Sequence, residues 1–267
     1  KYDISANLST LKNKVTSLGI GKDSYISGAY ATYVGQEIGQ FYGWVYEGIA
    51  RTQADLDNHA TQQGVNVGDC LYKDISGPEG TPDGVIDAYD QTVLGSGLPK
   101  VNFGLSTHME YKGFDLNIST YGVLNYHVSD DIYNSLNSCY GYGNKEVGML
   151  DANRWSEDGS TYLSSVPRTY AANNATLAWN DLFSSRKIQN AAYWKIANVE
   201  LGYNFPDKWF GGYVNGVRLY VSAQNLYTFT GYHGYNVDYA GGTFTPGYNF
   251  CSFPSARTFM CGLHFTF

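Results

Sequence analysis

The sequence predicts an all-β fold of long antiparallel strands, and three observations carry that expectation. The composition is rich in Tyr (25) and Gly (31), with only 3 Met and 15% charged residues, which suits strands and turns better than helices. Apolar and polar residues alternate over runs of about nine to eleven positions, the period of a strand with one oily face. Short and long connections alternate between those runs, placing tight turns on one side of the sheet and large loops on the other.

Taken in order, Ile4, Ala6 and Leu8 oppose Asp3, Ser5, Asn7 and Ser9. The stretch from Tyr30 to Ile49 is a less regular strand or pair of strands. Val101, Phe103, Leu105, Thr107, Met109 and Tyr111 oppose Asn102, Gly104, Ser106, His108 and Glu110. Lys112-Gly113 then turns the chain back through Phe114, Leu116 and Ile118 against Asp115, Asn117 and Ser119, a hairpin signal. Ala197, Val199, Leu201, Tyr203 and Phe205 oppose Asn198, Glu200, Gly202 and Asn204, and Val217, Leu219, Val221 and Ala223 oppose Arg218, Tyr220, Ser222 and Gln224. The last run sets Phe259, Cys261, Leu263, Phe265 and Phe267 against Thr258, Met260, Gly262, His264 and Thr266. About seven long strands are expected.

An oily strand face needs a cover, either a second sheet in a soluble sandwich or lipid around a transmembrane barrel. Strand length favours lipid: eleven residues at roughly 3.3 Å each, tilted about 45°, span on the order of 25 Å, the height of a barrel's apolar band. The long connections, Ala50 to Lys100, Tyr126 to Tyr193 and Phe229 to Ser255, would be extracellular, and Lys112-Gly113 and Pro206 to Asn215 periplasmic. No run of about 18 apolar residues marks a transmembrane helix. A net charge of −7 with no basic stripe argues against nucleic acid. The opening at Lys1, with no initiator Met or signal segment, is expected of a processed chain or one that begins partway through a longer protein.

No nucleophile elbow, phosphate-binding loop or zinc-protease motif is present, and the chain is expected not to be an enzyme. His59, His108, His127, His233 and His264 are scattered without metal-ligand spacing. Cys70, Cys139, Cys251 and Cys261 likewise have none and are expected to be free, buried thiols.

Six stretches in order resemble the SusC/RagA family of TonB-dependent outer-membrane transporters. GQEIGQFYGWVYEGI (Gly35 to Ile49) is similar to a Gly-x-Pro-x-Gly-x-Phe-x-Gly-Tyr run, departing at Glu37 where the family commonly has Pro. GDCLYKDISG, DGVIDAYD, RKIQNAAYWKIANVELGYNFP, VRLYVSAQNLYTFTGYHG and the terminal aromatic strand follow. The resemblance implies that residues 1–267 are the C-terminal portion of a plugged barrel of roughly 22 strands, with the plug and earlier strands outside this chain. It further implies TonB-dependent import of oligosaccharides or peptides across a Gram-negative outer membrane, with a periplasmic C-terminus. The implied partners are a SusD-like surface lipoprotein, the TonB complex acting through the plug, the remainder of the barrel, and outer-membrane lipid. Phe259, Leu263, Phe265 and Phe267 then match the signal read by the barrel-assembly machinery.

The same resemblance marks Asp74, Ser76, Asp83, Asp87 and Asp90 as a calcium-loop-like set, interrupted between Pro78 and Pro82, against the alternative of an Asp/Gly-rich turn without an ion. Among the loop aromatics Tyr140, Tyr142, Trp155, Tyr162, Trp179, Tyr232, Tyr235 and Tyr239, the rings of Trp155, Trp179, Tyr232 and Tyr235 are the candidate substrate contacts, against the alternative that they build loop cores. A carbohydrate-binding β-sandwich is the competing architecture, and a passive porin the competing membrane function.

Overall fold

The computed structural model describes every residue except 20, 140–142, 150–153, 157–160, 162–163, 170–178, 211–213, 215, 239–240 and 267. Its main element is an antiparallel sheet of six long strands lying side by side in chain order: β1 (Tyr2–Thr10), β2 (Val101–Tyr111), β3 (Phe114–Leu124), β4 (Tyr193–Phe205), β5 (Gly216–Thr230) and β6 (Thr258–Thr266). Each oily run predicted from alternation therefore lies beside the next, and its outward residues stack in rows. Ile4 faces Thr107, Thr107 faces Ile118, and Ile118 faces Val199 across successive pairs.

The expectation of about seven long strands is corrected to six among the described residues. The stretch from Tyr30 to Ile49 breaks into Tyr30–Tyr33, Gln40–Gly43 and Tyr46–Ile49, which pair within smaller sheets outside the main one. Gly35 (φ 91°) and Gly39 (φ 62°) turn the chain between the first two pieces, a left-handed geometry that a continuing strand does not permit. At the other end, Lys112 (φ 47°) and Gly113 (φ 86°) both take positive φ in the two-residue link between β2 and β3, which matches the twist of a hairpin.

The described residues of 11–100, 125–192 and 231–257 all leave the sheet from one end. They pack on one another through two cores. One gathers Cys70, Tyr72 and Ile86, with Trp44, Tyr46, Trp179 and Leu182 against them. The other joins Val123, Tyr126, Val128, Ala191, Tyr193, Tyr232 and Val237. The thiols divide two and two, with Cys70 and Cys139 buried and Cys251 and Cys261 exposed, all four free, so burial holds for only half of those predicted. No helix of the described residues is long and apolar enough to cross a membrane.

Candidate functional site

The sheet has two chemically distinct faces. Outward rows carry large apolar side chains in the open: Leu8 is 71% exposed, Val221 51% and Leu263 58%. A soluble sandwich would cover this face, yet among the described residues no second sheet lies on it. Aromatic rings border the apolar rows at both ends. Beside the loops, Trp194 stacks on Phe229 at 5.3 Å and Tyr227 meets Phe229 at 4.7 Å. At the tight-turn end, Phe114, Tyr203 and Phe205 form a chain of rings with centroids 4.6 and 4.9 Å apart. Two aromatic girdles around an apolar band are the mark of a barrel in lipid.

β4 shows how the faces are kept apart. Alternation carried back from Val199 places Ala197 and Lys195 outward, and a charge there would cost about 2–4 kcal/mol at mid-membrane. The ladder instead skips between Ile196 and Asn198 on both sides of β4. This bulge leaves Ala197 outside the ladder, which corrects its expected place among the oily residues. It turns Ile196 and Trp194 outward and sends Lys195 inward, where it pairs with Asp238.

The inner face is polar and tied across strands. Asp115 on β3 takes a bidentate ion pair from Arg218 on β5, with Nε to Oδ2 at 3.0 Å, and Asn204 Nδ2 donates to the same Oδ2 at 3.0 Å. Arg218 also donates to Glu200 Oε1 at 2.7 Å. His108 lies on this face between Asn117 (2.7 Å) and Glu110 (3.0 Å), and His264 stands opposite Arg218. With Glu200, Ser222 and Gln224, Arg218 and His264 line a concavity of about 620 Å³.

Over the sheet end, the loops are locked by buried polar groups. Arg168 grips Asp69 with Nε and Nη2 at 2.7 and 2.8 Å, Asn180 donates to the same carboxylate at 2.8 Å, and Asn180 Oδ1 accepts from the Cys70 amide at 2.7 Å. Asp130 accepts from the Tyr232 hydroxyl and from Asn249 Nδ2, and caps the helix Asp131–Leu136 through the Tyr133 amide at 2.8 Å. Glu37, standing where the family has Pro, pairs with Lys100 at the foot of β2.

Three of the four candidate aromatics are built into this layer. Trp155 is buried against Gly68, Trp179 donates through Nε1 to the Gln63 carbonyl at 2.7 Å, and Tyr232 is buried on Asp130. Burial and the bond to Asp130 hold the Tyr232 hydroxyl well above its ordinary range. Tyr235 alone of the four is open, 66% exposed, beside a cleft shared with Lys195, Asp238 and Arg257. Tyr140, Tyr142, Tyr162 and Tyr239 lie outside the described residues. On β6, Phe259, Leu263 and Phe265 are exposed along the outward edge, while Phe267 lies outside the described residues.

The acidic loop closes on itself through backbone amides. Asp90 accepts from Ile75 and Ser76 with one oxygen and from Asp87 with the other, at 2.8, 3.2 and 2.8 Å. Asp74 accepts from Gly84, Asp83 from Val85 and Asp87 from Tyr89, while Ser76 Oγ turns to the Gly77 carbonyl. A calcium site needs six to eight oxygens converging on one point. Among the described residues no three His, Cys, Asp or Glu side chains converge in this way, and Asp74 Oδ1 is buried without a hydrogen-bond partner.

No family model matches the chain. TonB-dependent receptor P3 of Formosa agariphila is 29% identical over 284 residues, covering 100% of this chain and 27% of the relative. TonB-dependent receptor SusC of Bacteroides thetaiotaomicron is 24% identical, covering 100% of this chain and 24% of the relative. The RagAB peptide transporter structure superposes with a TM-score of 0.76 at 21% identity, over 98% of this chain and 26% of that one. Along its whole length the chain is similar to TonB-dependent receptors, SusC among them, and it shares the fold of the corresponding part of the RagAB transporter. It spans about a quarter of the length of the curated relatives it matches. Sequence reasoning missed the Asp69–Arg168–Asn180 clamp and the Lys195–Asp238 pair, since each joins residues far apart in the chain.

Proposed function

We propose that residues 1–267 form the C-terminal wall and outer loops of a larger barrel that imports large nutrients, oligosaccharides or peptides, across a Gram-negative outer membrane. Import is TonB-dependent, acting through a plug elsewhere in the protein, and a SusD-like surface lipoprotein sits over the loop layer. The observation that carries this reading is the two-faced sheet: an uncovered apolar band between aromatic girdles, backed by a charged inner wall. β1 and β6 each pair on one side only, and an open edge is untenable in hydrocarbon, so both edges pair with further strands of the same barrel. β6 runs from the loop end toward the tight-turn end, which puts the C-terminus in the periplasm if the loops face outward. The likeness to SusC supports nutrient import, and the fold shared with part of the RagAB peptide transporter is consistent with it.

Cell fractionation with affinity purification of the full-length protein tests it. The chain is expected in the detergent-extracted outer-membrane fraction with a co-purifying surface lipoprotein identified by mass spectrometry. Recovery in the soluble fraction, without detergent or lipoprotein, overturns the reading.

A further inference from the structure

Between the first and second long links lies a cleft of about 320 Å³ whose walls include Tyr46, Tyr133, Asn134, Asn137, Arg186 and Lys187. Its two cations are not alike. Lys187 donates to the Asp181 carbonyl and has the Asp181 carboxylate 3.9 Å away. Arg186 is partly buried and, among the described residues, has neither a hydrogen bond nor an ion pair. The acidic groups that face it most strongly are the Cys70 and Cys139 thiols and the Tyr46 and Tyr72 hydroxyls. Burial pushes Cys70 and Tyr46 up to about 12, and Cys139 and Tyr72 are also raised, so all four are neutral at physiological pH. The nearby carboxylates are engaged elsewhere, Asp181 beside Lys187 and Glu146 on Asn137 Nδ2 at 2.7 Å. A partly buried guanidinium without an ion pair is a costly arrangement unless a charge from outside completes it.

We propose that this cleft is a binding site for a carboxylate, with the Arg186 fork as its anchor and the Asn134 and Asn137 side chains at its rim. Arg presents a planar pair of donors that matches a carboxylate, which a Lys cannot do. The volume is at the lower end of small-molecule sites, enough for one sugar or a few peptide atoms around the acid group. The cleft's chemistry does not depend on the import reading, because binding is measured on the purified protein and uptake on cells.

The test is calorimetric titration of the intact full-length protein in detergent with two matched pairs: galacturonate against galactose, and acetyl-dialanine against its C-terminal amide. At least one acid is expected to bind about tenfold or more tightly than its neutral partner. Arg186→Gln should abolish that difference and Arg186→Lys should retain part of it. Preference for galacturonate identifies a sugar acid as the source and preference for acetyl-dialanine a peptide terminus. Equal binding of acid and neutral forms, no binding of either acid, or an unchanged preference in Arg186→Gln overturns the proposal. The wild-type comparison stands even where a variant fails to fold.

Discussion

Arg218 reaches over β4 to grip Asp115 two strands away, and Gly202 is the residue that lets it. A Cβ at Gly202 would lie 2.5 Å from both Arg218 Nη2 and Asp115 Oδ2. The pair ties β3, β4 and β5 together on the inner wall, where Asp115 is 6% exposed. Gly202→Ala is therefore expected to displace the fork and destabilise the sheet by about 1–3 kcal/mol. Arg218→Ala, which leaves Asp115 without its cation, should cost a similar about 1–3 kcal/mol. Thermal unfolding midpoints of the intact protein in detergent check both, and unchanged midpoints would show that the pair is solvated and weak.

The loop layer should fail separately from the sheet. Asp69→Ala removes the acceptor for Arg168 and Asn180 and leaves a half-buried guanidinium and a buried amide without their partner, at about 1–3 kcal/mol. Limited proteolysis is expected to nick residues 125–192 faster in this variant while the strands remain protected. Equal digestion of wild type and variant would contradict the clamp.

Alkali should loosen the same layer. Burial raises Cys70 from its ordinary 9.0 to about 12 and Tyr46 from 10.0 to about 12. The folded state therefore holds these protons more tightly than the unfolded one. Their contribution is fully present below about pH 9 and declines as pH rises from about 9 to 12. Tryptophan fluorescence followed through that window should report loosening around Trp44 and Trp179, and Cys70→Ser should reduce the slope.

Thiol labelling reads the topology. Cys70 and Cys139, buried and held as thiols, should resist maleimide at pH 7.5, whereas exposed Cys251 in the third link should react with an impermeant reagent on whole cells. Cys261 lies on the outward apolar face and should be shielded by lipid or detergent. Labelling of Cys251 only after the cells are broken would reverse the orientation.

The acidic loop should need no ion to hold its shape. Asp90→Ala deprives three backbone amides of their acceptor and is expected to cost about 2–3 kcal/mol, while adding calcium to the wild type leaves the unfolding midpoint where it was. A calcium-dependent rise in the midpoint would mean that the carboxylates rearrange around the ion.

The strands themselves were legible because strand alternation is local: six of the oily runs, from Ile4 to Phe265, could be read two residues at a time, and all six stack in one sheet. The run from Tyr30 to Ile49 was misread because glycine turns outweigh its strand-forming residues. What only tertiary structure decided depends on partners far along the chain. The bulge beside Ala197 exists because β4 must match β3 and β5 at once, and it takes Lys195 out of the lipid face that simple alternation would give it. The acidic residues from Asp74 to Asp90 show their composition in sequence, but which oxygen meets which amide depends on how the loop closes. Asp69 meets Arg168 and Asn180 across separations of 99 and 111 residues, and Arg186 lies among neutral thiols and phenols brought together by two different links. Period and turn chemistry are properties of neighbouring residues, whereas burial, charge pairing and the emptiness around a cation arise only when distant segments pack.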